Sequence, residues 1–224
     1  MSRCCVIFDL DDTLYPERAF ALSAFDAIGE WAEANLGVAG LNDDMVRLLD
    51  AGHLGQIFPL SLQRRGVDAA HAGHLLELYR QHQPASLQLY PDTTACLDAC
   101  AARGAIGLIT DGTVAVQQAK VRALGIGRRF QHIVYTHGLG GRGFAKPHPA
   151  AFEAMQSTVG RPGDRFVYVG DNPAKDFLSP NRMGWTTVQV VRPSRIHASA
   201  KTIDGGALQH TLATLAALPA LLDR

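Results

Sequence analysis

Five short apolar runs punctuate the chain: CCVIF (4–8), AIGLIT (105–110), HIVYT (132–136), RFVYVG (165–170) and TTVQVV (186–191). Each is an apolar run short enough to be a buried strand, and a turn or polar cluster follows it. Strands buried on both faces of a sheet read this way. Helical patterns lie between them. DTTACLDACAARG (92–104) opens on Asp92 as an N-cap and closes on Gly. TVAVQQAKVRALG (113–125) also closes on Gly, and PHPAAFEAMQSTVG (147–160) opens with Pro near the first turn and ends in Gly. PAKDFLSPNRMG (173–184) predicts a helix bent or broken at Pro180. Strands alternating with helices imply an α/β protein with an open parallel sheet covered on both sides.

Residues 16–90 break this rhythm. ERAFALSAFDAIGEWAEANLG is helical, with Phe20, Ala24, Ile28 and Trp31 at helical spacing, and NDDMVRLLDAG and DAAHAGHLLELYRQH read as further helices. The expected organisation is a sheet domain of residues 1–15 and 91–224, interrupted after its first strand by a helical insertion over 16–90. Phe20 and Trp31 are expected in the core of that insertion. The C-terminal ALQHTLATLAALPALLDR reads as a short packing helix.

Composition narrows the function classes. The 224 residues suffice for one sizeable core plus a small accessory domain. Lys+Arg and Asp+Glu balance at 21 each, so no global field draws the chain to nucleic acid or a membrane surface. No apolar stretch approaches membrane-spanning length, and MSRCCVIFDL is no secretory signal, so a cytoplasmic location is expected. Cys4, Cys5, Cys96 and Cys100 lack metal-site or disulfide-framework spacing and read as buried free thiols. The nine His show no paired ligand spacing.

Ligands of open α/β sheets bind beyond the carboxyl ends of the strands. The first run enters Asp9, Asp11, Asp12 and Thr13; the second ends in Thr110, Asp111 and Gly112; the fourth enters Asp171, Asn172, Lys175 and Asp176. The third leads through GLGGRG (138–143), read as a connector, to Lys146. Asp9 and Asp11 lie two apart, which on an extended strand aims both at one face. Like carboxylates so close repel unless a cation, a proton or water relieves them. Asp9, Asp11 and Asp171 are an oxygen-only ligand set that suits a hard cation such as Mg²⁺. Thr110 and the backbone N–H groups of Asp111 and Gly112 can bond phosphoryl oxygens, and Lys146 adds a compact positive charge. A carboxylate is then free to act as a nucleophile on phosphorus.

Four segments carry a family resemblance. DLDDT (9–13) looks like motif I, DxDx[TV], of the haloacid dehalogenase superfamily. LIT (108–110) is similar to its motif II, AKPHPAAF (145–152) to the motif III lysine setting, and VGDNPAKD (169–176) to motif IV, GDxxxxD. All four stand in family order along essentially the whole chain. The resemblance implies a Rossmann-like doubly wound parallel sheet and, for residues 16–90, a helical C1 cap. It implies Asp9 as nucleophile, Asp11 as general acid and then base, and Thr110 and Lys146 as phosphoryl-holding groups. It implies Mg²⁺ held by Asp9, the Asp11 carbonyl and Asp171, with Asp176 a further or water-mediated ligand. The implied activity is hydrolysis of a small phosphate ester, a nucleoside monophosphate or sugar phosphate, through a phosphoaspartate. A phosphomutase or phosphotransferase would use the same intermediate. A dehalogenase is disfavoured by Asp11, since the dehalogenases resemble DxY there and need no Mg²⁺. A silent binding domain is disfavoured by the intact charged set. Asp111 departs from the Asn of many relatives, which is a puzzle unless its carboxylate points away.

Other polar residues have plainer readings. Asp12 caps the turn or faces water, Thr13 braces the loop, and Lys175 pairs with a carboxylate. His53 and Arg18 read as surface or packing residues of the insertion.

Overall fold

The computed structural model describes residues 3–223. Six strands form one parallel sheet: β1 (Cys4–Phe8), β2 (Ile106–Thr110), β3 (His132–Tyr135), β4 (Arg165–Gly170), β5 (Thr186–Val190) and β6 (His210–Leu212). Their order is β3-β2-β1-β4-β5-β6. The chain therefore winds outward from β1 to β3, crosses back, and winds the other way from β4. The strand order reverses between β1 and β4, where Cys5 pairs with Phe166 and Phe8 with Val169. That reversal opens a crevice at the carboxyl ends of those two strands.

Strand alternation sends the β1 side chains into two separate cores. Cys4, Val6 and Phe8 pack on one face with Leu97 and Cys100 of α5 (Thr93–Ala101), Val116 and Val121 of α6 (Val114–Ala123), and the C-terminal helix α9 (Leu218–Leu222). Cys5 and Ile7 pack on the other face with Phe152 and Met155 of α7 (Ala150–Val159). Gly107 of β2 admits α7, because a Cβ there would collide with Met155. All four cysteines are buried and free.

Between β1 and α5 run four helices: α1 (Glu17–Leu36), α2 (Leu41–Asp50), α3 (Ile57–Arg64) and α4 (Ala72–Gln81). They share a third core that includes Phe25, Ile28, Met45, Leu62 and Leu75, and Trp31 packs against it. Phe20 departs from expectation. It lies in the sheet-side cluster with Phe8 and Leu14, with the Lys120 ammonium 4.8 Å above its ring.

Four further differences have local causes. α3 was not anticipated; its Pro59 sits at the third helical position, where no helical donor is lost. Pro180 stands in the same way inside the first turn of α8 (Leu178–Arg182), so it neither bends nor breaks that helix. Asp92 makes no cap bond to α5; it instead takes both amino groups of Arg192, at 2.8 and 2.9 Å, and the N–H of Leu215. The C-terminal segment is not one helix: residues 210–212 add edge strand β6, and a 3₁₀ turn (Leu215–Ala217) precedes α9. GLGGRG lies across two 3₁₀ turns, Thr136–Leu139 and Arg142–Phe144.

Candidate active site

The ladder of β1 stops at Phe8, although the Asp9 N–H still donates to the Val169 carbonyl of β4 at 2.8 Å. The chain then turns, with the N–H groups of Thr13 and Leu14 both reaching the Leu10 carbonyl. Asp12 adopts a left-handed backbone conformation (φ 52°), which Asp tolerates better than most residues. Its carboxylate accepts from the Glu17 N–H at the start of α1 (2.9 Å) and from the Ile196 N–H after β5 (2.6 Å). Asp12 therefore caps and clamps, and it is buried rather than facing water. Thr13 is buried with its hydroxyl unpartnered among the described residues, so it does not brace the loop by that group.

Asp9 meets three groups at the β1–β4 reversal. Lys146, delivered by the loop before α7, donates to Asp9 Oδ1 at 2.6 Å, to Asp176 Oδ1 at 2.7 Å and to the Tyr168 hydroxyl at 2.9 Å. Asp176 accepts from the Asn172 N–H at 2.8 Å through its other oxygen. Its carboxylate occupies the space above Gly170 that any side chain at that position would fill. Burial pulls the Lys146 ammonium down, but Asp176 and Asp9 more than offset this and hold it charged well above its ordinary range.

One lysine does not balance this carboxylate group. Ligand oxygens of Asp9, Asp171 and Asp176 lie within 4.8 Å of one another, all three residues buried. Asp9 Oδ2 and Asp171 Oδ2 have no hydrogen-bond partner among the described residues. Burial, with Asp176 beside it, pushes the Asp171 carboxyl up to about 9. Burial likewise raises Asp9 to about 6, against the pull of Lys146. Two orphaned, dry carboxylate oxygens beside a third acid fit a hard divalent cation, which would supply the missing charge. The Asp11 side chain is not part of this group.

Asp11 turns to α6 instead. Its Oδ1 accepts from Lys120 Nζ at 2.7 Å and from the Tyr15 hydroxyl at 2.6 Å, and its Oδ2 from Gln117 Nε2 at 2.8 Å. Burial pushes this carboxyl up, but the Lys120 ammonium and the three hydrogen bonds outweigh it and hold Asp11 below the usual carboxylate range. The Gln117 amide also donates to Thr110 Oγ1, which links motif II to Asp11. Glu17 lies 3.9 Å from Lys120, and burial with Asp11 nearby raises it to about 8. Asp11, Asp111, Gly112, Gln117 and Lys120 line an open cleft of about 230 Å³, with Leu76 and Tyr79 of α4 also on its walls.

Asp111 bonds away from Asp9 and Asp11. Its Oδ1 accepts from Thr136 Oγ1 (2.9 Å) and the Lys146 N–H (3.0 Å), and its Oδ2 faces Lys175 at 3.1 Å. It fastens the Lys146 loop to the end of β2, and Lys175 pairs with a carboxylate as read from sequence. Arg18 is engaged with Asp50 at the surface, and His53 is exposed. Sequence reasoning passed over Tyr15, Glu17, Gln117, Lys120 and Tyr168. The available signal was in α6: Gln117 and Lys120, three apart, share one helix face directly after the Thr110–Gly112 strand end, and both are buried.

An open, doubly wound sheet thus brings buried acids from two strand ends around one lysine at its reversal point, the arrangement of an α/β enzyme. Residues 5–184 match the haloacid dehalogenase-like hydrolases, and the chain belongs to that family. It is a hydrolase of phosphoric monoesters. It is 31% identical over 197 residues to a glyceraldehyde 3-phosphate phosphatase of Methanopyrus kandleri, covering 84% of this chain and 83% of that protein. A Methanocaldococcus jannaschii protein of the same description is 27% identical, covering 84% of each. Among solved structures, a putative HAD-hydrolase of Bacillus subtilis bound to magnesium superposes with TM-score 0.71 at 15% identity, over the whole of both chains. A 2-haloacid dehalogenase of Pseudomonas syringae superposes with TM-score 0.62 at 26% identity, over 100% of this chain and 99% of that one. No helix of the described residues is long and apolar enough to cross a membrane.

Proposed function

We propose that this chain is a Mg²⁺-dependent phosphatase of a small phosphorylated metabolite, of the sugar phosphate class, working through a phosphoaspartate on Asp9. The observation that carries the reading is the pair of orphaned oxygens on Asp9 and Asp171 beside the Lys146–Asp176 pair. Asp9, Asp171, Asp176 and the Asp11 backbone carbonyl would hold Mg²⁺, which when bound supplies positive charge against the phosphoryl oxygens. The glyceraldehyde 3-phosphate phosphatase relatives support a sugar phosphate as substrate.

The residues divide the work as follows. Asp9 attacks phosphorus, the ester P–O bond breaks, and the leaving oxygen takes a proton through Asp11, which draws it from solvent because the resting group is the carboxylate. Water then attacks the phosphoaspartate and gives a proton to the Asp11 carboxylate, releasing inorganic phosphate and regenerating Asp9. Lys120, Tyr15 and Gln117 hold Asp11 as the carboxylate that this second step needs. Thr110, Lys146 and the N–H groups of Asp111 and Gly112 hold the phosphoryl group. Helices α1–α4, over residues 16–90, serve as the cap that excludes water. Dehalogenation is the weaker reading, because it has no use for a cation at Asp171 or a proton carrier at Asp11.

The test is hydrolysis of glyceraldehyde 3-phosphate and p-nitrophenyl phosphate by wild type and Asp9→Asn, with Mg²⁺ and with EDTA. Turnover that requires both Asp9 and Mg²⁺ is expected. No turnover above the variant, or metal-independent halide release from 2-chloropropionate, sinks the proposal.

A further inference from the structure

We propose that Lys175 is a second phosphoryl-binding cation, docked on Asp111 and able to pass from it to a phosphoryl oxygen; this rests on the phosphatase reading above. An ammonium group has three N–H donors. Lys146 spends all of them, on Asp9, Tyr168 and Asp176 at 2.6, 2.9 and 2.7 Å, and its side chain is fully buried. It meets a phosphoryl oxygen only by releasing one of these partners, and releasing Asp9 or Asp176 leaves a buried carboxylate oxygen unpaired. Lys120 is buried against Asp11, Glu17 and the Phe20 ring. Phosphoryl transfer depends on positive charge set against the phosphoryl oxygens, so a less committed cation has a clear use here.

Lys175 is that cation. Among the described residues its ammonium has one partner, Asp111 Oδ2 at 3.1 Å, and its side chain is 27% exposed. Its place is set by a turn built on Asn172. The Asn172 carbonyl accepts from the N–H groups of Lys175 (3.2 Å) and Asp176 (3.0 Å), and Asn172 Oδ1 accepts from the Ala174 N–H (3.0 Å). That turn gives Asp176 to Lys146 and Lys175 to Asp111. Asp111 follows β2 and Lys175 follows β4, and β1 lies between those strands in the sheet. The ion pair therefore bridges the two strands that flank β1, whose carboxyl end carries Asp9. Burial raises the carboxyls of Asp9, Asp171 and Glu17, and Lys175 is among the charges that draw each back down.

Asp111 is the fixed half of the pair. Its Oδ1 is held by Thr136 Oγ1 and the Lys146 N–H, so Lys175, on a flexible stem with one contact, is the half that moves. A phosphoryl group seated on the N–H groups of Asp111 and Gly112 stands beside this ammonium. Its oxygens carry more negative charge than one carboxylate and compete for the ammonium with charge-assisted hydrogen bonds. This gives the carboxylate at position 111 a task that Asn could not perform: it docks Lys175 at the mouth of the site while its other oxygen secures the Lys146 loop.

The test is calorimetric titration of the Mg²⁺-loaded full chain with inorganic phosphate, with p-nitrophenyl phosphate turnover and thermal unfolding alongside. Lys175→Met should weaken phosphate roughly ten- to hundredfold, the loss of one hydrogen bond to a charged group, and kcat/KM should fall at least as far. Lys175→Arg keeps the charge and should recover most of that loss. Asp111→Asn keeps an Oδ1 acceptor for Thr136 and the Lys146 N–H but frees Lys175. It should bind phosphate about two- to fivefold more tightly, the strength of a part-exposed ion pair that no longer has to be given up. The two substitutions thus move phosphate affinity in opposite directions, whereas an ion pair that only holds two loops together would weaken binding on loss of either partner. If Lys175→Met does not fold, the sign of the Asp111→Asn effect decides alone. Unchanged phosphate affinity in Lys175→Met, or weaker binding in Asp111→Asn, overturns the role of Lys175, while p-nitrophenyl phosphate turnover by wild type keeps the phosphatase reading. A wild type that neither binds phosphate nor turns over the ester refutes both.

Discussion

Replacing Asp171 with Asn should make the metal-free protein more stable while removing its response to Mg²⁺. Asp171 is 3% exposed, its Oδ2 is unpartnered, and burial beside Asp176 and Asp9 raises it to about 9. A carboxyl whose folded pKa lies above its unfolded value of 3.8 contributes nothing adverse below pH 3.8 and costs stability as pH rises towards 9. At about 1.4 kcal/mol per pH unit, the interval from 3.8 to 7 gives an upper bound of about 4 kcal/mol at neutral pH. Asn is nearly isosteric and carries no charge, and its amide N–H can face the orphaned oxygen of Asp9. A chain of this size gains about 2–4 °C in Tm per kcal/mol, so a rise of about 5–15 °C is expected at pH 7.5 in EDTA. At pH 4.5 the two proteins should melt within a few degrees of each other. Mg²⁺ at a hundred times its Kd should stabilise wild type by about 2.7 kcal/mol and leave the variant unmoved. A variant less stable than wild type at pH 7.5 without metal would refute the electrostatic argument, as would a difference that does not grow with pH.

Three other outcomes test separate parts of the site. Asp11→Asn should still form phosphoenzyme from p-nitrophenyl phosphate but hydrolyse it about 10²–10⁴-fold more slowly, seen by rapid quench; equal loss of both steps would contradict its acid–base role. Lys120→Met removes the cation that holds Asp11 ionised, so burial dominates and the acidic limb of the kcat–pH profile should move to higher pH by a unit or more; an unshifted limb would show that Asp11 does not set it. Asp92→Asn should cost about 2 kcal/mol in urea unfolding at pH 7. Burial raises this carboxyl, but Arg192 and Thr214 hold it down to about 2, so the stability is present above pH 3.8 and lost as pH falls towards 2. A loss that persists at pH 2 would count against the ion pair.

Strands β1 to β5 were legible because each is a short, largely apolar run closed by a turn, and VIF, GLI and FVYV are continuously apolar as strands buried on both faces must be. β6 was not, since His210–Leu212 is three residues long and becomes a strand only by pairing with Val188–Val190. Asp92 before a helix looks like a cap in any sequence, and nothing local reveals that Arg192, a hundred residues on, takes its carboxylate. Phe20 was assigned to the insertion by its helical spacing, which says that a face is buried but not against what.

The candidate site divides along the same line. Asp9, Thr110 and Asp171 were readable from sequence because each ends or directly follows its own apolar strand, and parallel strands end on one edge. Local chain order alone places them there. The partners of the site's acids were decided only by tertiary packing: Lys120 reaches Asp11 across 109 positions, Lys146 reaches Asp9 across 137, and Asp111 turns from Asp9 and Asp11 to secure the Lys146 loop. A side chain's charge is written in the sequence, whereas the dielectric around it and the charge opposite it exist only once distant segments meet. That is why Asp11 and Asp171, both acids at strand ends, are held on opposite sides of the ordinary carboxylate range.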